Sequence, residues 1–248
     1  DKSLEEKVSA MKDQSFKEQI LSEEPAVDKN HMIYTLMTGF DKQFPMDEIP
    51  DYEPSYETSI AGIAESSNKS VMEVMYEELI KNEGKTFVWA PFSPYPDHNL
   101  DTYKMMMEFE SSVAGLSDGG AHCGLICDAS MPTWNVAHYT RDRVKGDKIP
   151  LEFLVRKQTK ETAETFGLMD RGQIKEGYMA DINIIDHDNL CVYKPEMVHD
   201  LPTGSRRIIQ KAGGYIATIK SGVVTFKNDE ATGELPGTLI RGEQTAAA

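Results

Sequence analysis

The strongest constraint in this 248-residue chain is a helix–strand–helix–strand succession between Ser70 and Leu116. Ser70, with Glu73 three residues on, forms the pair that satisfies free backbone N–H groups at a helix start. Val71, Val74, Met75, Leu79 and Ile80 then repeat at helical spacing, and Gly84 supplies a left-handed stop. Residues 86–90 (Thr-Phe-Val-Trp-Ala) follow as a short apolar strand, and residues 100–109 as a helix opened by Asn99 or Asp101. Residues 112–116 (Ser-Val-Ala-Gly-Leu) are a second apolar strand. Apolar runs that are continuous rather than alternating mark strands covered on both faces, the condition of parallel βα units. The expected fold class is α/β.

Around this centre the chain changes character twice. Residues 1–24 are charged and helical in part. Residues 25–67 are irregular, with Pro45, Pro50 and Pro54 interleaved with acids, Tyr52 and Tyr56. A stretch of that length is commonly a lid or a disordered insertion, and its aromatics favour an ordered lid in which Tyr52 or Tyr56 lines a pocket. Residues 134–143 and 150–166 read as helices, with Pro150 at a first helical position and Gly167 as a stop. From about Asp170 glycines punctuate short β-rich runs. Residues 180–185 form one strand, and residues 215–220 and 223–227 form a hairpin across Ser221-Gly222. A domain boundary is expected near residue 168, dividing a barrel portion (1–168, with the lid-like insertion at about 25–67) from a small β-rich portion (169–248).

Charge and cysteine content narrow the function classes. Asp plus Glu outnumber Lys plus Arg by 41 to 26, a net charge of −15. Such a surface repels polyanions, which argues against a nucleic-acid partner. No apolar run approaches the roughly 20 residues of a membrane span, so no membrane partner is expected. Three cysteines, Cys123, Cys127 and Cys191, are too few and too odd in number for a disulfide framework, which points to a reducing, cytoplasmic setting.

The second apolar strand runs into Ser117-Asp118-Gly119-Gly120-Ala121-His122. In a βα barrel, catalytic groups sit where strands end. A carboxylate there can ligate a divalent metal and take a proton from water, and Gly119 and Gly120 let a ligand approach the backbone. The same Asp118 is equally suited to cap a following helix, and these residues alone leave both roles open. His122, four residues on, and Ser117 are candidates to touch substrate or to steady Asp118. His98, in the loop after the preceding strand, is a further candidate beside its reading as a solvent-facing histidine. Cys123 and Cys127 lack the Cys-x2-Cys spacing of a metal site and read as reduced, packed thiols.

The 117–122 run resembles the strand-eight segment of the amidohydrolase superfamily, specifically its N-acyl-D-amino-acid deacylase (D-aminoacylase-like) branch. Residues 171–182 (Arg-Gly-Gln-Ile-Lys-Glu-Gly-Tyr-Met-Ala-Asp-Ile) resemble the passage of that branch from barrel to β-sandwich. His199-Asp200-Leu201-Pro202-Thr203-Gly204, Thr232-Gly233 and Leu235-Pro236-Gly237 resemble its C-terminal end. The resemblance runs from Asp51-Tyr52-Glu53-Pro54 to Arg241. It implies the C-terminal part of a (β/α)8 TIM-like barrel followed by a small β-sandwich portion. It also implies a zinc-dependent hydrolase of non-peptide C–N bonds, with a small-molecule amide as substrate. Asp118 would be both a metal ligand and the general base toward the metal-bound water.

The family's remaining ligands, a His-x-His on the first strand, a Cys, Lys or Glu on an early strand and histidines on the fifth and sixth, have no counterpart here. Zinc takes three or four protein ligands. The chain is therefore expected to be one part of a longer polypeptide, partnered by its N-terminal remainder, and to be inactive and without tight zinc by itself. The alternative is a non-catalytic or split-chain subunit that docks onto a partner supplying the other strands. One departure concerns substrate. Many D-aminoacylases carry an arginine shortly after the strand-eight Asp, suited to gripping a substrate carboxylate. Residues 128–134 contain none, and Arg141 and Arg143 lie further on.

Overall fold

Helix starts organise the first hundred residues. In the computed structural model of the protein, which describes residues 2–24, 26–92, 95–115, 117, 120 and 122–245, Ser3 and Glu6 open α1 (Leu4–Met11) with a reciprocal cap. The Glu6 amide donates to Ser3 Oγ at 3.2 Å and the Ser3 amide to Glu6 Oε2 at 2.7 Å. Asp13 caps α2 (Gln14–Ser22) by accepting from the Phe16 amide at 2.9 Å. The expected start at Ser70 is present, but only half of the pair forms. Ser70 Oγ accepts from the Glu73 amide at 3.1 Å, while the Glu73 carboxylate reaches Lys17 at 3.3 Å. Lys17 also meets Glu77 at 3.2 Å, which ties α2 to α5 (Val71–Ile80).

The segment expected to be an irregular lid is ordered and partly helical. It holds α3 (Met32–Thr38), β1 (Phe44–Pro45) and α4 (Ile60–Ser67), the last capped by Ser59. Gly62 is required in α4, because a Cβ there would lie 2.3 Å from the Tyr56 carbonyl oxygen. Ile60 and Ala64 of α4 pack with Val74 of α5 into a core that Phe40, Ile63, Val71 and Met75 extend. Of the first expected strand, β2 (Val88–Trp89) forms, and it pairs antiparallel with β1, Phe44 opposite Trp89.

The chain divides into two compact units, Asp1–Leu100 and Asp101–Ala248. The second begins with α6 (Asp101–Glu108). The strand expected at 112–116 does not form over 112–115, and Leu116 lies outside the described residues. A parallel strand needs neighbours to take its backbone groups. None pairs with this segment among the described residues, and side chains take its carbonyls instead. Lys157 donates to Ser112 O, and Thr162 to Ala114 O, while Lys157 also reaches Phe109 O in the turn before the segment.

The two later helices are interrupted. α7 (Met131–Ala137) passes into a π-type turn at His138–Asp142. α8 (Leu151–Arg156) passes through another at Lys157–Glu161 into α9 (Thr162–Thr165), which Gly167 ends at φ +70°. Pro150 precedes α8 instead of occupying its first position.

The change to β-rich sequence near residue 168 falls inside this second unit. β3 (Ile182–Ile185), β4 (Cys191–Val192), β5 (Glu196–Val198), β6 (Arg207–Ile209), β7 (Ala212–Gly213), β8 (Tyr215–Lys220), β9 (Val223–Lys227) and β10 (Glu230–Ala231) follow in turn. The largest sheet has the order β10-β9-β8-β3, and β4–β7 and β5–β6 form two further pairs. Every pair of named strands among the described residues is antiparallel. The β8–β9 hairpin turns across Ser221 and Gly222, both at positive φ (52° and 81°), the two-residue geometry that suits strand twist. Asp181 accepts from Lys220 Nζ at 2.9 Å and from the Ser221 amide at 2.9 Å. Burial pushes the Asp181 carboxyl up, but these donors and Arg171 outweigh it and hold the group below its ordinary range.

Residues 130–141 bind this β-rich part through Thr133 Oγ1 to the Tyr215 hydroxyl (2.7 Å), Thr140 Oγ1 to His187 Nε2 (2.7 Å) and Arg141 to the Leu190 carbonyl (2.8 Å). The chain is thus mixed helix and strand. No helix among the described residues is long and apolar enough to cross a membrane.

Candidate functional site

Asp118, the residue on which the sequence reading turns, lies outside the described residues, as do Gly119 and Ala121. Its described neighbours are Ser117, which is half-buried, and His122, which is exposed and held at φ +49°. The His122 carbonyl accepts from the Leu125 amide at 2.7 Å and the Ile126 amide at 2.9 Å, so His122 opens a turn. Space over Gly120 is open, since a Cβ there would meet nothing within 4 Å. Within the turn, the Cys123 carbonyl accepts from the Ile208 amide at 2.6 Å, tying the segment to β6.

All three cysteines are free and half-buried. Burial, reinforced by Asp128, pushes the Cys127 thiol up to about 11. Since the thiolate is the nucleophile, raising the pKa from an ordinary 9.0 to about 11 lowers the reactive fraction at pH 8 roughly 100-fold. Iodoacetamide labelling read by mass spectrometry is therefore expected to leave Cys127 largely unmodified at pH 8 and to accelerate only toward pH 11. Fast labelling at pH 8 contradicts the burial.

The two arginines that follow Asp118 are engaged by protein groups. Arg141 pairs with Asp142 and donates to the His187 and Leu190 carbonyls. The Arg143 side chain is fully buried, donating to Asp101 Oδ1 at 2.7 Å and to the Asp147 carbonyl at 3.0 Å.

His98 belongs to the first unit, in an aromatic cluster that spacing alone did not reveal. Its ring meets those of Phe44, Tyr56 and Tyr95 edge-on, and its Nε2 lies 3.0 Å from the Asp41 carbonyl. Tyr52 packs edge-on against Trp89 at 5.4 Å. The Tyr56 hydroxyl donates to Glu65 at 2.6 Å, and that bond raises its pKa. Beside this cluster Phe44, Trp89, Asp47, Asp51, Pro54 and Thr58 line a cleft of about 70 Å3. Glu53, 2% exposed, braces the floor of the unit by accepting from the Leu100 amide at 2.6 Å.

Among the described residues no three His, Cys, Asp or Glu side chains converge as a metal site, against the three or four that zinc takes. Lys157, which directly follows α8, is 4% exposed, and nothing in its sequence position marks it as buried.

Residues 87–226, more than half of the chain, match the amidohydrolase family, and the chain belongs to that family. It is similar to a D-aminoacylase of Alcaligenes xylosoxydans xylosoxydans, with 32% identity over 105 residues, 42% of this chain and 19% of that protein. The match thus spans less than a fifth of the relative's length. No solved structure matches the chain.

Proposed function

We propose that this chain is the C-terminal portion of a longer amidohydrolase that cleaves non-peptide C–N bonds in a small-molecule amide, in the manner of an N-acyl-D-amino-acid deacylase. The observation that carries the reading is the Ser117–His122 run inside the matched residues 87–226. In this reading Asp118 takes a proton as water attacks the amide carbonyl carbon, then returns it to the nitrogen as the C–N bond breaks. An amide nitrogen leaves poorly unless protonated, so one carboxylate serves both steps. The zinc implied by the resemblance has its other ligands on the remainder of the polypeptide, and the isolated chain is inactive. The cysteine usage supports a cytoplasmic setting.

Because Arg141 and Arg143 are engaged elsewhere, the substrate class extends from N-acyl-D-amino acids to cyclic and other amides. The test is hydrolysis of N-acyl-D-amino acids and hydantoins by the full-length protein and by the 248-residue chain, each supplied with zinc. Turnover by the full-length protein alone supports the proposal. Turnover by the short chain, or inactivity of the full-length protein on every amide, overturns it.

A further inference from the structure

Residues 109–115 have no sheet neighbour among the described residues, yet three of their carbonyls are taken by side chains of one helical segment. Lys157 Nζ donates to Phe109 O at 3.2 Å and Ser112 O at 2.6 Å, and lies 3.0 Å from Glu161 Oε2. Three acceptors thus meet the three N–H bonds of an ammonium group that is almost wholly out of water. Thr162 Oγ1 lies 2.8 Å from Ala114 O, sharing its proton with the Lys157 carbonyl at 2.9 Å.

The π-type turn Lys157–Glu161 is part of the device. It brings residues five apart, here Lys157 and Thr162, onto one face of the helix, and such turns recur at functional sites. A buried charge is costly unless fully paired, and the Lys157 ammonium also lies over the Phe153 ring at 5.7 Å. What the lysine adds is a grip on two backbone carbonyls. That grip, with the one from Thr162, falls on the segment that leads in sequence to Ser117 and Asp118.

We infer that Lys157 and Thr162 are positioning residues that hold the 109–115 backbone as flanking strands would in a sheet, and so set the placement of the segment carrying the base. The inference rests on the proposed role of Asp118. Its test has two arms. In the 248-residue chain, hydrogen exchange of the 110–115 amides is expected to quicken in Thr162→Val and in Lys157→Met, with exchange in the β8–β9 hairpin unchanged.

In the full-length protein, Thr162→Val is expected to lower kcat about tenfold with KM unchanged, since small misplacements of a reacting group act on turnover. Thr162→Ser, which restores the hydroxyl, is expected to recover it. Unchanged exchange in Thr162→Val overturns the inference. So does a kcat loss that Thr162→Ser fails to recover, or one that tracks a fall in Tm across the variants. If Asp118→Asn retains wild-type rates, the base assignment fails instead, and the exchange arm alone decides whether the clamp exists.

Discussion

Asp118→Asn in the full-length protein is expected to lose amide hydrolysis by roughly 1,000-fold or more, within the range that positioned proton transfer contributes. The substitution keeps the shape of the side chain and removes its ability to accept a proton, so in the proposed role attack by water and departure of the amine would both suffer. KM is expected to change little, because in that role the group would act as the transition state forms. Circular dichroism of the variant should overlay that of the parent, which separates lost chemistry from lost structure. Parental rates in a folded variant would remove Asp118 from the mechanism.

The second large effect is on stability. Arg143→Ala is expected to destabilise the second unit by about 3 kcal/mol, measured as a lowered urea midpoint. The Arg143 side chain is fully buried, against the Tyr139 ring (5.5 Å) and the Asp147 carbonyl (3.0 Å). Its ionic partner Asp101 is 63% exposed, so water screens that contact and its share is small. Most of the loss comes from the vacated volume and the carbonyl left without a donor. Arg143→Lys keeps a charge but not the fork that reaches Asp101 and Asp147 together, and is expected to fall between the two. An unchanged midpoint in Arg143→Ala would show that this burial contributes nothing.

What the sequence made legible was local. The helix beginning at Ser70 and the hairpin across Ser221-Gly222 form as expected, because each is set by a few adjacent residues. The strand expected at 112–116 does not form over 112–115, because an apolar run states only that it will be covered, whereas a ladder depends on partners far away in the chain. α4 lies in the stretch that the clustered prolines Pro45, Pro50 and Pro54 mark as irregular, and the missing Cβ of Gly62 admits the Tyr56 carbonyl there. Arg143 and Lys157 escaped because charged residues are assigned to the surface by default, and their acceptors are mostly backbone carbonyls, which carry no mark in sequence. At the candidate site the 117–122 motif was readable as a string. The ring contacts that gather His98, Tyr56 and Phe44 join residues up to 54 positions apart and were not.

The placement of the two tryptophans has a practical consequence. Trp89 lies in the first unit among Phe44, Tyr52 and Tyr95, and Trp134 in the second, stacked on the His138 imidazole at 4.2 Å. Each unit therefore owns a single indole, one ringed by tyrosines that can feed it excitation and one lying flat on an imidazole. Removing either leaves an emission signal that belongs to the other unit alone, so the protein carries a built-in pair of optical reporters with which the melting of its two halves can be told apart.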